Sequence, residues 1–393
     1  MATVRTYVFV HLADGPVPAG LLTMTDEPRN QFATFAYGRR YLARPDRVPV
    51  DPVSLPLHDP ATERNFQTEE GFAVFGGIRD AAPDGWGQYL TYKAMGDRLP
   101  SDIDLILGSG DHRVGTLAFG PTLEHPERIT PWGDGDAPDE HSTLEELAEA
   151  AERAQHVDQL DDDLRRLLTA GSSLGGARPK AATEIDGQPW IAKFQARNDS
   201  FPECRVELAT MRLAAICGLD VPALAFRRVL ERDIYLIERF DRVPHSNWLE
   251  RRPFASGLTM LGAHESEGSR YSYADLAAVL RQHGTEVRRD LHELFRRMVF
   301  NILVTNEDDH LRNHGFLFDG KCLRSTMSYP SRRSVWKDDL CWVLARKAGK
   351  PRPPMLSLAL PVSILPLIRP KRWSKTCARG WPKAGKNSSR KPE

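Results

Sequence analysis

Eight consecutive residues constrain the fold of this chain more than any other stretch: Asn306-Glu307-Asp308-Asp309-His310-Leu311-Arg312-Asn313. Asp308 and Asn313 stand close enough for a reversing loop to bring a carboxylate and an amide oxygen to one point. Phosphoryl transfer needs that combination: the carboxylate accepts a hydroxyl proton while the amide oxygen helps to hold Mg2+ beside the phosphates. Acidic turns ending in Asn are common, so the spacing alone also fits a solvated turn. Upstream, residues 287–303 place Leu291, Leu294, Phe295, Met298 and Ile302 on one helical stripe. That pattern predicts a long helix, buried along one side, that delivers the loop from a rigid element.

Further parts of the same chemistry precede it in order. Ser172-Ser173-Leu174-Gly175-Gly176-Ala177-Arg178-Pro179-Lys180 holds adjacent glycines, whose N–H groups can approach phosphate oxygens without a Cβ in the way. A helix cap followed by a plain loop explains a lone Gly-Gly equally well. Residues 181–185, an Asp186-Gly187 turn and residues 190–194 read as a β-hairpin with Lys193 near the end of its second strand. Residues 203–217 read as a helix stopped by Gly218, with Val206, Ala209, Leu213 and Ile216 at helical spacing. Glu207 lies among these positions, where it can pair with Lys193. Tyr235 to Arg242 is an apolar strand running into a charged link, suited to a hinge whose backbone reads a base.

In Ser-Ser-Leu-Gly-Gly-Ala-Arg-Pro-Lys, in Glu238-Arg239-Phe240-Asp241-Arg242 and in the Asn-x-Asp-x-His-x-x-Asn loop, the chain resembles the HipA-type toxin kinases, bacterial serine/threonine protein kinases. Pro83-Asp84-Gly85-Trp86-Gly87 and Asp111-His112-Arg113-Val114-Gly115 extend the resemblance into the N-terminal third. The resemblance implies an α+β, protein-kinase-like two-lobed fold with a small β-rich N-terminal accessory domain. It implies ATP and Mg2+ as cofactors, with Asp308 as catalytic base and Asn313 as metal ligand. His310 falls at the family's loop histidine, where it holds the loop by hydrogen bonds.

By the same resemblance, Leu174, Gly175, Gly176 and Ala177 cover the nucleotide, Lys193 holds its phosphates with Glu207 as partner, and Glu238, Phe240 and Asp241 frame the adenosine. Ser173 matches the serine that members autophosphorylate, which pulls the Gly-rich loop out of the site and silences the kinase. Arg312 stands where the family has lysine, keeping the charge but changing the hydrogen-bond geometry. Members pair with a small helix-turn-helix, HipB-like antitoxin, reach DNA only through it, and phosphorylate a translation factor such as an aminoacyl-tRNA synthetase. Two other readings remain open: a small-molecule phosphotransferase, which shares the Asp-x-x-x-x-Asn loop, and a dead kinase that binds antitoxin or ATP.

Composition bounds the rest. The first residues alternate like an edge strand and carry no apolar run of signal length, and Pro361 and Pro366 interrupt the apolar stretch near the end, so no membrane segment is expected. Five cysteines without metal-ligand spacing fit a reducing cytoplasm. Strands are expected at residues 4–10 and 32–37, helices around 87–95 and 102–107, and a Pro/Gly-rich linker near 121–141. Ser142-Thr143-Leu144-Glu145 reads as a capping box. The expected division is an accessory domain over 1–120, the linker over 121–141, a kinase core over 142–320 and a basic tail over 321–393.

That tail differs from everything before it. Residues 321–393 hold 18 Lys or Arg against Asp338, Asp339 and Glu393, within a chain of zero net charge. No period survives there beyond a few residues, and disorder is expected. A kinase needs a second magnesium aspartate after its base; in the HipA-type family it sits in a Leu-x-Pro-x-Tyr-Asp strand, which is missing. Reverse translation of Cys322 to Pro330, regrouping each codon's last base with the next two, permits Ser-Pro-Leu-Tyr-Asp-Val-Val-Ser. The expectation is a frameshift near Gly320 that leaves the C-terminal helical lobe incomplete. A nucleic-acid arm is the alternative for so basic a segment.

Overall fold

The computed structural model describes residues 2–27, 30–96, 98–127, 142–157, 160–161, 164, 173–245, 248–318 and 323–326. All belong to one compact unit, Met1–Leu344. Strand β1 (Ala2–Leu12) turns at once into β2 (Gly15–Glu27) and pairs with it from Ala2↔Asp26 to Leu12↔Gly15. Strand β3 (Asn30–Tyr37) follows antiparallel, then a short helix α1 (Arg39–Leu42) and β4 (Asn65–Gln67) on the outer side of β3. Helices α2 (Gly76–Ala81), α3 (Gly85–Ala94) and α4 (Asp102–Gly108) lead to β5 (Leu117–Gly120), which returns to β1 at Tyr7–Val10.

The sheet order is therefore β4-β3-β2-β1-β5. Strand β1 is covered on both sides along Tyr7–Val10 and is not the edge strand its alternation predicts, because a partner arrives from a hundred residues downstream. Strand β2 carries Gly15, Pro16, Pro18 and Gly20, which hide it from a pattern search; the register shift between Val8 and Phe9 accommodates Pro18. Val8, Val10, Leu22, Phe35, Ile78 and Ile106 form the core between this sheet and α2 and α4.

Helix α5 (Leu144–Ala154) opens on a capping box of Thr143 and Glu146, one residue later than the Ser142–Glu145 box. Both pairs have the right spacing, but the later start turns Leu147, Ala148, Ala151 and Ala154 inward. Strands β6 (Lys180–Ile185) and β7 (Gln188–Lys193) form the expected hairpin, with Asp186 and Gly187 at φ 53° and 72° as a type I′ turn requires. Helix α6 (Glu203–Ile216) ends at Gly218, φ 80°. Strands β8 (Leu224–Val229) and β9 (Arg232–Glu238) complete a sheet ordered β6-β7-β9-β8.

Strand alternation gives this sheet two buried faces. Ile234 and Leu236 meet Ala181, Ala192, α5 and α3, whose Trp86, Leu90 and Ala94 join this core and not that of the first sheet. Tyr235 and Ile237 meet Cys204, Leu208, Met211 and Ala214 of α6. Here α6 differs from expectation. Its inward face is Glu203, Cys204, Glu207, Leu208, Met211 and Ala214, whereas Ile216 is 82% exposed and Leu213 is also exposed. The buried glutamates have cationic partners inside, which decides the helix rotation against the apolar stripe.

The remaining elements build the floor of the site. Strands β10 (Arg242–Pro244) and β11 (Leu249–Arg251) pair, then β12 (Phe254–Ser256) runs into helix α7 (Gly257–Met260). Helices α8 (Tyr273–His283) and α9 (Val287–Leu303) precede β13 (Gly315–Phe318) and β14 (Leu323–Thr326), in a sheet ordered β12-β13-β14. Leu258, Leu276, Leu280, Leu294, Leu311 and Phe316 pack beneath it.

Helix α9 spans the expected residues, but Phe295 is exposed while Asp290, Arg297 and Asn301 are buried. Arg297 bonds Glu293 and the Asp220 carbonyl, and Asn301 supports the loop beyond, so polar work displaces the apolar stripe. Strand β14 is a correction to the expectation of a structureless tail after residue 320: backbone pairing with β13, from Gly315↔Thr326 to Phe318↔Leu323, needs no side-chain period. Residues 327–393, on which the rest of that expectation falls, lie outside the described residues, as do 128–141 of the linker. Among the described residues no helix is long and apolar enough to cross a membrane.

Candidate active site

Lys180 and Lys193 face each other across the β6–β7 ladder, and residues opposite one another present their side chains to the same face. Lys193 is ion-paired with Glu207 of α6, both side chains largely buried, and its ammonium lies 5.6 Å from the Tyr235 ring centre. Lys180 is buried and donates to the Gly175 carbonyl. Burial, reinforced by the charge on Lys193, pushes its amine down to about 8. Arg178 closes the end of the Gly-rich loop by reaching Asp199 at 2.6 Å and Glu203.

Ser173 at the head of that loop is buried, and its Oγ has no hydrogen-bond partner among the described residues. Leu174 is buried as well. Gly176 sits at φ 94°, a conformation that side chains resist. Its N–H donates to the Asp84 carboxylate and its carbonyl accepts from the Trp86 N–H at 2.8 Å. The Pro83-Asp84-Gly85-Trp86 segment, one of the motifs of the resemblance, thus grips the Gly-rich loop.

Helix α9 releases the second loop through Thr305, at φ 53°. Asn306 is fully buried and accepts from the Asp308 N–H at 3.2 Å. Asn313 donates through Nδ2 to the Asp308 carbonyl at 2.5 Å, which leaves its Oδ1 to face outward chemistry. His310 Nε2 lies 3.4 Å from Asp308 Oδ1, and the hydrogen bond to that carboxylate raises the histidine above its ordinary range. Asp309 turns the other way: Tyr273, Asn301 and His314 bond its carboxylate at 2.7, 3.1 and 2.8 Å. Burial alone raises the Asp309 carboxyl, but these partners hold it below its ordinary value. Arg312 pairs with Glu265 and, at 3.2 Å, with Asp84.

The link after β9 is organised around Asp241, which is 2% exposed. Both its oxygens are engaged by Arg239 and Arg242, and it also accepts from the Gly115 N–H at 2.8 Å. Burial works against the charge, yet the two guanidiniums keep the carboxyl well below the carboxylate range. Arg239 and Arg242 in turn bond the carbonyls of His112, Arg113 and Gly115, so two stretches that sequence reading kept apart form one buried clamp.

A cavity of about 2150 Å³ is lined by the Gly-rich loop from Ser173 to Ala177, by Lys180, Lys193 and Glu207, by Phe240 and Asp241, and by Asp308, His310 and Asn313. Glu238 is not in this set; its carboxylate accepts from the Ala223 N–H at 3.3 Å. Two lysines beside a glycine loop suit a polyphosphate. Asn313, on the cavity wall beside Asp308, carries an amide oxygen of the hard kind that would suit Mg2+. Among the described residues no three His, Cys, Asp or Glu side chains gather as a self-sufficient metal site.

The family model of the HipA-like C-terminal domain matches residues 172–329, from the Gly-rich loop to just past β14. That part of the chain is HipA-like. The "Putative kinase Y4mE" of Sinorhizobium fredii is 26% identical over 343 residues, covering 80% of this chain and 76% of its own length. A "Putative kinase" of Haemophilus influenzae is 26% identical over 165 residues, covering 38% of this chain and 48% of its own. Among solved structures, HipA of Shewanella oneidensis, in complex with HipB and operator DNA, superposes with a TM-score of 0.57 at 17% identity over 83% of this chain and 75% of that one. The fold is kinase-like. Within the HipA-like frame, sequence reading passed over Lys180, Asp84 and the Asp309 network. Lys180 had a signal, since its place opposite Lys193 follows from the hairpin register; Asp84 stood in a motif of the resemblance, which did not give its contacts.

Proposed function

We propose that this chain is an ATP-dependent serine/threonine protein kinase of the HipA toxin type. The observation that carries the reading is the buried Lys193–Glu207 pair opening into the same cavity as Asp308 and Asn313. Bound ATP supplies the transferable phosphoryl group. Lys193 and Lys180 would hold phosphate oxygens, Asp308 would accept the hydroxyl proton of the acceptor, and Asn313 would be the Mg2+ ligand. His310 steadies the loop through Asp308, and Phe240, on the cavity wall, would frame the adenosine. Asp241 serves as the anchor of the clamp, since its oxygens are taken. Ser173, at the head of the Gly-rich loop, is the autophosphorylation site in this reading, and its buried Oγ means that the loop has to leave its present position to be modified.

The reading extends to a cytoplasmic protein with a HipB-like antitoxin as partner, bound to DNA through it, and a translation factor as target. It divides the chain into an accessory domain, a linker, a kinase core and, from about residue 320, a segment read out of frame. The reverse-translated Tyr-Asp string supports the last point. On this reading the chain as written binds ATP but transfers phosphate far more slowly than its frame-restored counterpart, because the second magnesium carboxylate is missing.

Resequencing across codons 315–335 comes first, followed by Mg-ATP incubation of both chains with mass mapping of Ser173. Phosphorylation of the frame-restored chain, abolished by Asp308→Ala and Lys193→Ala, is the expected result. A frame-restored chain that folds and neither binds nor hydrolyses ATP would overturn the kinase reading.

A further inference from the structure

The two loops that line the cavity are tied to one side chain that belongs to neither. Asp84 accepts the Gly176 N–H on Oδ1, and its Oδ2 lies 3.2 Å from Arg312 Nη2 in the loop that carries Asp308. The carbonyl of Gly176, in the next peptide along, accepts from the Trp86 N–H. Gly85, between them, sits at φ 44°, and a Cβ there would stand 2.6 Å from the Gly176 carbonyl carbon. Trp86 is buried in the core that also holds Ala181 and Ala192 of the β6–β7 hairpin. The clasp is therefore fixed to the body that carries Lys180 and Lys193, while the loop it grips is rich in glycine and has little stiffness of its own.

We infer that Asp84 is a positioning residue for the Gly-rich loop: it holds the Gly176 peptide over the cavity and, through Arg312, sets its place relative to Asp308. The inference rests on the nucleotide reading above for its consequence, not for its geometry. A carboxylate is a strong acceptor for a backbone N–H, and the Trp86 bond to the following carbonyl holds the peptides on both sides of the Gly176 Cα. Charge on Asp84 is what the Arg312 link needs. The hydrogen bond to Gly176 needs only an acceptor, so the two functions separate by substitution.

The test measures backbone hydrogen exchange in the peptide containing Gly176, without nucleotide, together with ADP affinity by calorimetry, in folded protein verified by circular dichroism. Asp84→Ala is expected to speed exchange at the Gly176 amide at least tenfold and to weaken ADP about tenfold. Asp84→Asn, which retains an acceptor, is expected to restore most of the exchange protection. Gly85→Ala attacks the same contact sterically and is expected to match Asp84→Ala in both readouts; if Asp84→Ala does not fold, Gly85→Ala and Asp84→Asn carry the comparison. Unchanged exchange in Asp84→Ala or Gly85→Ala overturns the clasp, and tighter ADP binding in Asp84→Ala overturns positioning in favour of a carboxylate that competes with phosphate. If the wild-type chain binds no ADP, the kinase reading fails while the exchange measurement still decides the clasp.

Discussion

The Gly-rich loop and the loop at residues 306–313 face one cavity but are held by opposite means. The second is supported mainly by its own residues and the helix before it, with Tyr273 from α8 and Asp84 through Arg312 added: Asn306 is buried, Asn313 closes on the Asp308 carbonyl, and Asn301, Tyr273 and His314 surround Asp309. The first borrows its support from Asp84 and Trp86, about ninety residues upstream, and from Lys180 at its own end. The lower loop is thus preorganised by a buried polar network centred on the Asp309 carboxylate. The upper one is as ordered as the clasp that holds it. A kinase gains from the difference, since its base must stay aimed while the phosphate cover opens and closes.

The largest effect that would break this contrast is at Asp309. Asp309→Ala leaves Tyr273, Asn301 and His314 without their shared acceptor, and about 3 kcal/mol of stability should be lost by urea denaturation. Hydrogen exchange should rise in residues 306–313 and stay unchanged around Gly176; equal loosening of both loops would erase the distinction. The folded Asp309 carboxyl titrates below its unfolded value of about 3.9. Its contribution is therefore complete above that value and lost as the pH falls through the lower, folded one. The variant should lack this acid-side loss.

Lys180 sharpens the comparison from the other side, with a smaller effect of the opposite sign. Its amine titrates near 8 when folded and near about 10.4 when unfolded. Between those values the unfolded chain binds more protons, so stability should rise with pH across the window. Denaturation midpoints measured from pH 7.5 to 10.5 should climb in the wild type and climb less in Lys180→Met. A flat wild-type profile would mean that the amine is solvated and not packed under the Gly-rich loop. The smallest expected effect is at Ile216, 82% exposed at the end of α6. Ile216→Ser should change stability by no more than about 0.5 kcal/mol and leave both loops alone. A larger loss would restore the inward stripe expected from sequence and displace Glu207 from its present face.

Much of the site was legible before any coordinates. Turn chemistry placed the hairpin that carries Lys193, because Asp-Gly at a two-residue turn admits few alternatives. The long helix before Asn306 followed from its spacing, and the partner Glu207 from the lysine–glutamate pairing of kinases. Its failures share a cause. In α6 and α9 the apolar periodicity pointed one way and buried ion pairs or hydrogen bonds pointed the other; a charged side chain inside without a partner costs more than a leucine outside. Strand β2 was hidden by its own prolines and glycines, and β1 was mistaken for an edge because its second neighbour is remote in sequence.

By itself the sequence determined the local elements, the order of the parts and the chemistry of the loop at 306–313, since these depend on residues within a few positions of one another. Only the tertiary structure decided which face of α6 turns inward, that Asp241 sits in a clamp built from residues 112–115, and that Asp84 reaches Gly176 and Arg312. Those outcomes depend on where charges find partners across a hundred residues of chain, and no local pattern encodes that distance.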